Sequence, residues 1–333
     1  MTDLHALRQI CLATGPRLEG IAYGTTLRQG GCSEGACDSL NLALHVNDQT
    51  AHVLQNRALI QSLCGRQPHW LSQTHSAIVF DPSQPDTVQY NERHEPIADA
   101  AVTDSSQDVL AVLTADCLPV VLADTQRRII AVAHGGWRGV LNGILQNTIA
   151  AMRRKQAQVD FAWIGPSISA AVFEVGVDVY QSFVQQDDAF AQFFKPIAPE
   201  VDFYACLAQQ PLRHPWSQAS AKALSSLSTR LWPGTAFKVL KSSPQLATNA
   251  IFKEQDVVFY DDLISDGAVS GATLEVTKYL FDLAGAASYI LQGAGVTQVF
   301  RSDLCTYLHN DCFFSHRRSA QQGRMATLVW LQT

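Results

Sequence analysis

The stretch VLAVLTADCLPVVLADTQRRIIAVAHGGW (residues 109–137) decides the fold. It contains the short runs VLAVLTAD (109–116), LPVVLAD (118–124) and IIAVAH (129–134), apolar, rich in valine and isoleucine and bounded by polar turns. Runs of this kind read as buried strands. GVLNGILQNTIAAMRR (139–154) follows with helical spacing of its apolar positions. FAWIGPSI (161–168) then reads as a further strand and VGVDVYQSFVQQ (175–186) as a further helix.

Outward from this centre the same alternation continues. Residues 24–48 are rich in Gly, Ser, Asn and Asp, with turn chemistry at Gly30-Gly31, and read as a loop feeding a short strand. Residues 53–64 carry helical spacing, and HWLSQTHSAIVF (69–80) reads as a strand. KYLFDLAGAASYILQGAG (278–295) reads as a helix stopped by glycine, and VTQVFRS (296–302) and MATLVWLQ (325–332) read as terminal strands. The expectation is an α/β fold with a mixed sheet. Residues 197–276 have a different texture, with many prolines, Ser-rich stretches and weak periodicity. They read as an insertion into one domain spanning 1–333.

Bulk properties narrow the function. With 47% apolar and 16% charged residues the chain reads as well cored rather than disordered. A net charge of −6 gives no general attraction for nucleic acid, so none is expected as a partner. No run of 18 apolar residues and no signal-peptide pattern is present, so a cytoplasmic protein without membrane contact is expected. Eight cysteines without an export signal read as buried thiols or a metal ligand rather than disulfides.

His75, Cys117 and His134 each stand beside an expected strand end. Two imidazoles and a thiolate are ligands of a catalytic zinc with an open fourth position. Taken singly, each also suits a packed or hydrogen-bonded interior residue, and their spacing matches no compact zinc motif.

The motifs around them carry a resemblance. TADCLPVVLAD with AVAHGGWRGVLNGIL resembles the central signature of the YfiH-type laccase-domain family. TTLRQGGCSEGACDSLNLALHVND with QNRALI, SQTHSAIV, WIGPSISAAVFEVGVDVYQSF and CTYLHNDCFFSHRRSAQQGRMATLVWL resemble its other blocks, over about residues 20–196 and 277–332. The resemblance implies a layered α/β fold and zinc on His75, Cys117 and His134. It implies phosphorolysis of adenosine, inosine, guanosine and methylthioadenosine, with adenosine deamination at the same metal. Departures within the blocks are small: Ala43 where the family often has Gly, Asn47 for another Gly, and Gly135 for the Ala of His-Ala-Gly-Trp; the large departure is the insertion at 197–276.

With that reading, purine nucleosides and phosphate are the expected partners of a monomer or weak homo-oligomer. Cys117 and His134 are catalytic candidates, and Glu174 in FEVG is a candidate acid/base or helix cap. Arg28 beside Gly30-Gly31 is the first candidate for phosphate, with Arg57 and Arg138 after it; each is also suited to a surface salt bridge. Asn41 suits ribose or base, or its own loop. Asp116 should point away from Cys117 along a strand. Trp137, Phe313 and Phe314 suit purine stacking or core packing. Three rivals stand beside this reading. One is a copper phenol oxidase, although the ten histidines include no His-x-His. Copper would nevertheless compete for such ligands. The others are a metal-free Cys117–His134 hydrolase acting on cell-wall precursors, and a module whose insertion binds a protein.

Overall fold

The computed structural model describes residues 10–197, 238–241, 277–302 and 304–332. They divide into a larger compact unit (10–168, 238–241 and the residues from Ala287 onward) and a smaller one (169–197 and 277–286).

In the larger unit, β1 (Cys11–Thr14) and β2 (Ile21–Thr26) precede helix α1 (Thr50–Cys64). Then come the two-residue strands β3 (Pro68–His69) and β4 (Val79–Phe80) and the longer β5 (Ala100–Thr103), β6 (Val109–Thr114), β7 (Leu118–Asp124) and β8 (Ile129–Gly135). Helices α2 (Trp137–Leu141) and α3 (Ile144–Arg154) lead to β9 (Phe161–Ile164). The smaller unit holds β10 (Glu174–Gly176), α4 (Val177–Gln186), β11 (Phe194–Ile197) and, after β12 (Lys238–Lys241) of the larger unit, β13 (Lys278–Phe281). Helix α5 (Leu283–Gly293), β14 (Gln298–Arg301) and β15 (Met325–Leu331) close the chain.

The described strands of the larger unit form two six-stranded mixed sheets, ordered β12-β1-β2-β15-β6-β3 and β14-β9-β7-β8-β5-β4. The period-2 alternation of β6 explains their layering. Leu110 and Val112 join Tyr23 and Val329 against Val121, Val132, Phe161 and Trp163 of the other sheet. Val109, Ala111 and Leu113 point the opposite way, to Ile60 and Leu63 of α1. Helix α3 covers β8 and β5 on the outer face of the second sheet. The result is a layered mixed α/β fold, with β7 and β8 buried at every position.

In the smaller unit, β13 lies between β10 and β11, antiparallel to both, over an aromatic core that includes Phe183, Phe194 and Phe281. Ile197 stands opposite Lys278 in the β11–β13 register. The residues flanking the irregular stretch therefore meet as neighbours on adjacent strands. Apart from Ile197 and β12, whose backbone pairs parallel with β1 at a sheet edge, the 197–276 stretch lies outside the described residues.

Several element boundaries differ from the sequence reading. The strand expected at 69–80 exists only at its two ends, because the intervening chain is drawn into a turn by the carboxylate of Asp99. The helix expected at 278–295 begins only at Leu283. Asp282 caps it, accepting the Gly285 N–H at 2.8 Å, and the KYLF before it is a strand paired on both sides. The helix expected at 139–154 is interrupted at Gly143, whose φ of +88° leaves the helical region.

Candidate metal centre

The second sheet assembles the cluster through its register. In the β7–β8 pair Pro119 faces His134 and Leu118 faces Gly135, so Cys117, just ahead of β7, arrives beside the end of β8. Asp99 immediately precedes β5, the other neighbour of β8, and its carbonyl accepts the His134 N–H at 2.7 Å. His75 comes from the turn between β3 and β4.

The side chain of Asp99 builds that turn. It is fully buried and accepts the backbone N–H groups of Thr74 at 3.1 Å, His75 at 3.0 Å and Ser76 at 2.7 Å, and the Ser76 hydroxyl at 2.7 Å. His75 takes the left-handed conformation, φ 59°, within this turn. The same carboxylate accepts from Nδ1 of His134 at 2.8 Å. In the neutral ring that binds a metal, Nε2 of His134 is then the lone-pair nitrogen, the arrangement in which a carboxylate orients a metal-binding imidazole.

The ligand atoms of His75, Cys117 and His134 all lie within 4.8 Å of one another, and Cys117 Sγ is 3.8 Å from His75 Nε2. A tetrahedral ion at about 2.0–2.3 Å from each ligand would separate them by about 3.3–3.8 Å, close to this spread. His75 is exposed, Cys117 half-buried and His134 buried, so the cluster opens to solvent on one side. Burial by itself would raise the Cys117 thiol, but the charge of His134 and hydrogen bonds from both imidazoles bring it down to about 6. Burial would depress His134, yet Cys117 and Asp99 raise it to about 9. Burial also opposes the charge of Asp99, and its bonds to His134 and Ser76 hold it at about 2. A thiolate between two imidazoles, one braced by a carboxylate, suits a divalent cation.

Gly136 is the position where a side chain cannot stand. A Cβ there would come within 2.5 Å of the His75 ring and 3.2 Å of Cys117 Sγ, whereas one at Gly135 would meet its nearest neighbour at 3.2 Å. An added methyl is therefore far more crowded at the second glycine of the pair than at the first. Gly136→Ala should displace His75 and weaken metal binding about 10–100-fold, with little loss of overall fold. Metal titration of the purified variant, alongside Gly135→Ala as the permissive comparison, checks this; equal affinity in the two would contradict the packing argument.

The other sequence-selected residues have diverse surroundings. Arg28 donates to the carbonyls of Asp38 (3.0 Å) and Asn310 (2.8 Å) and lies over the Phe314 ring. Arg57 donates to the Leu42 carbonyl, pairs with Glu95 at 2.9 Å and lies over Trp70. Arg138 is exposed, above the Trp137 ring. Asn41 is buried and bonded at both ends of its amide, donating to Ala43 and Asp48 and accepting from the N–H groups of Ala43 and Arg324. It ties its own loop to the start of β15. Glu174 belongs to the smaller unit, where it pairs with Lys278 at 2.6 Å. Asp116 has φ 91° and turns its carboxylate to the Thr306 hydroxyl and the Arg317 N–H, a structural role beside the cluster. Phe313 and Phe314 are core residues.

Residues 22–216 and 253–332 match the model of the family described as multi-copper polyphenol oxidoreductase laccase. The chain belongs to this family. The match runs into the 197–276 stretch from both sides and leaves 217–252 outside it. A relative from Xylella fastidiosa (strain Temecula1), named purine nucleoside phosphorylase, is 38% identical over 333 residues, 97% of this chain and 96% of the relative. One of the same name from Haemophilus influenzae is 30% identical over 310 residues, 92% of this chain and 93% of its own. Among solved structures, Neisseria meningitidis protein NMB0706 superposes with a TM-score of 0.66 at 31% identity, covering 97% of this chain and 99% of that one. No helix among the described residues is long and apolar enough to cross a membrane.

Asp99 is the site residue that sequence reasoning missed. Its signal was an acidic residue between Ala98 and Ala100, at the head of the small, apolar run AAVT. A carboxylate entering a buried strand needs buried partners.

Proposed function

We propose that this chain is a zinc-dependent purine nucleoside phosphorylase, acting on adenosine, inosine, guanosine and methylthioadenosine, with adenosine deaminase activity at the same centre. The observation that carries this is the convergence of His75, Cys117 and His134 on one point, with Asp99 behind them, in a chain whose relatives are named purine nucleoside phosphorylase. A bound zinc would supply Lewis-acid polarisation of an oxygen or a leaving group. The residues do the rest. Asp99 holds one proton of His134 at Nδ1, so that the Nε2 proton is the one that leaves when a cation binds. Cys117 serves as thiolate, which suits a soft, borderline cation. The half-exposed face of the cluster admits substrate.

In phosphorolysis a phosphate oxygen bonds to the anomeric carbon as the C–N bond to the purine breaks. The bonding pair leaves with the purine, which takes up a proton, and ribose 1-phosphate is the other product. Arg28 serves as a phosphate candidate, since its guanidinium meets carbonyls rather than a carboxylate. The single three-ligand cluster among the described residues, in a chain without His-x-His, favours zinc chemistry over a multicopper oxidase centre. We read the protein as a soluble cytoplasmic enzyme of one catalytic domain, in which the insertion at about 197–276 is accessory.

The test is metal analysis of protein purified without added metal, with product analysis after incubation with adenosine and phosphate. The expected result is about one zinc per chain, with adenine and ribose 1-phosphate formed, and inosine appearing as the deamination product. Chelation should abolish both reactions and zinc should restore them. A metal-free chain that hydrolyses an amide through Cys117 would replace this reading with the Cys–His hydrolase.

A further inference from the structure

The segment between β14 and β15 is fastened next to the cluster. Thr306 Oγ donates to Asp116 Oδ1 at 2.6 Å and the Arg317 N–H donates to Asp116 Oδ2 at 2.7 Å. Asp116 is the neighbour of Cys117, so both of its oxygens bind this segment at the edge of the site.

Arg324 closes the segment. Its Nη1 donates to the carbonyls of Gln322 and Gly323, at 2.6 Å and 3.1 Å, and its backbone N–H is fixed by Asn41 at 2.9 Å. Its Nη2 faces Nδ1 of His316 at 3.4 Å. A guanidinium only donates, so this nitrogen of His316 accepts and the ring proton belongs on Nε2. The pair therefore presents donors and no acceptor. No carboxylate is within ion-pairing distance of Arg324 among the described residues. The guanidinium is half-buried, and its burial lowers the pKa despite the opposing fields of Asp116, Cys117 and Cys37. Burial, then the charge of Arg324, lowers the pKa of His316 against the field of Asp116, with Arg317 and His75 adding to the lowering. A desolvated cation held in place, without an anionic partner and close to a metal-binding thiol, is an incomplete pair.

We propose that Arg324 and His316 form an oxyanion subsite beside the His75–Cys117–His134 cluster, and that its ligand is the inorganic phosphate of phosphorolysis. The inference rests on the phosphorylase reading for the identity of the anion, and on the local geometry for the site itself. A planar, fixed guanidinium and one imidazole N–H match two oxygens of a tetrahedral oxyanion. Phosphate and the phosphoryl group of a nucleotide share this chemistry, and the experiment separates them.

Phosphate binding to the full chain is measured by titration calorimetry for wild type, Arg324→Gln and His316→Ala, with adenosine 5′-phosphate as a second probe. His316 is exposed, so its variant guards against a folding defect at Arg324. Loss of a charge-assisted hydrogen bond should weaken phosphate binding about tenfold or more in Arg324→Gln and severalfold in His316→Ala. In turnover, KM for phosphate should rise in both while KM for adenosine changes less than about twofold. Unchanged phosphate affinity in both folded variants, with phosphorolysis intact, overturns the subsite and leaves the phosphorylase reading standing. Arg324-dependent phosphate binding by a chain that cleaves no nucleoside keeps the subsite and sinks the phosphorylase reading. Arg324-dependent binding of adenosine 5′-phosphate but not of free phosphate keeps the oxyanion site and overturns its assignment to the co-substrate.

Discussion

Cys117→Ala should lose metal, phosphorolysis and deamination together. The sulfur is one of three ligand-type atoms gathered within 4.8 Å, and it is the one that carries formal charge. Its thiol is brought down to about 6 by the two imidazoles, so at neutral pH it is already in the form that binds a cation. Structural zinc sites bind with roughly 10–16 kcal/mol, and one of three protein ligands accounts for several kcal/mol of that. The expected loss in metal affinity is therefore about 10³-fold, enough to empty the site at ordinary metal concentrations. Cys32→Ala, which removes a half-buried thiol outside the cluster, should leave metal content and turnover near wild type. Elemental analysis and product formation from adenosine plus phosphate measure both effects on the same preparations. Full phosphorolysis by metal-free Cys117→Ala would end the metal mechanism.

How far this centre was legible in the sequence depends on which interactions are local. The strands β6, β7 and β8 are visible because residues buried on both faces leave a run of β-branched and apolar residues. Their antiparallel register then places Cys117 near His134 with little further information. The position of His75 is different. Its neighbours HWLSQTHSAIVF look like a strand, and a strand is what their composition alone favours. A carboxylate 24 residues further along pulls three successive N–H groups into a turn instead. No periodicity within the segment reports that contact. The same holds for Arg57 and Asn41, whose polar side chains looked available for substrate. Their partners, Glu95 and the loop around Asp48, are joined to them by folding and not by spacing. The start of α5 failed for a simpler reason. A helical pattern can extend back across a capping residue, and Asp282 is such a cap.

Asp99→Asn is the second large effect expected, although the substitution hardly changes shape. One oxygen of Asp99 accepts from Thr74 N, Ser76 N and Ser76 Oγ, and the other from His75 N and His134 Nδ1. In asparagine one of these oxygens becomes a donor. Placed at the first position, the amide NH₂ would confront two backbone N–H groups. Placed at the second, it confronts only the His75 N–H, and His134 can adapt by shedding its Nδ1 proton. The second orientation is the cheaper one. It moves the His134 proton to Nε2, which removes the lone pair that faces the metal. Metal affinity should fall by about 10–100-fold. Facing one buried N–H with a donor should cost about 1–3 kcal/mol, a drop of several degrees in Tm for a chain this large. Asp99→Ala should be worse for the fold, because it strands all three backbone donors and leaves the raised His134 without its anion, a loss of about 3–5 kcal/mol. The two variants thus separate the two tasks of Asp99. Asparagine should damage metal binding more than stability, and alanine should damage both. Thermal melts and zinc titrations on the pair decide it, and wild-type zinc affinity in Asp99→Asn would show that His134 does not bind through the nitrogen opposite this carboxylate.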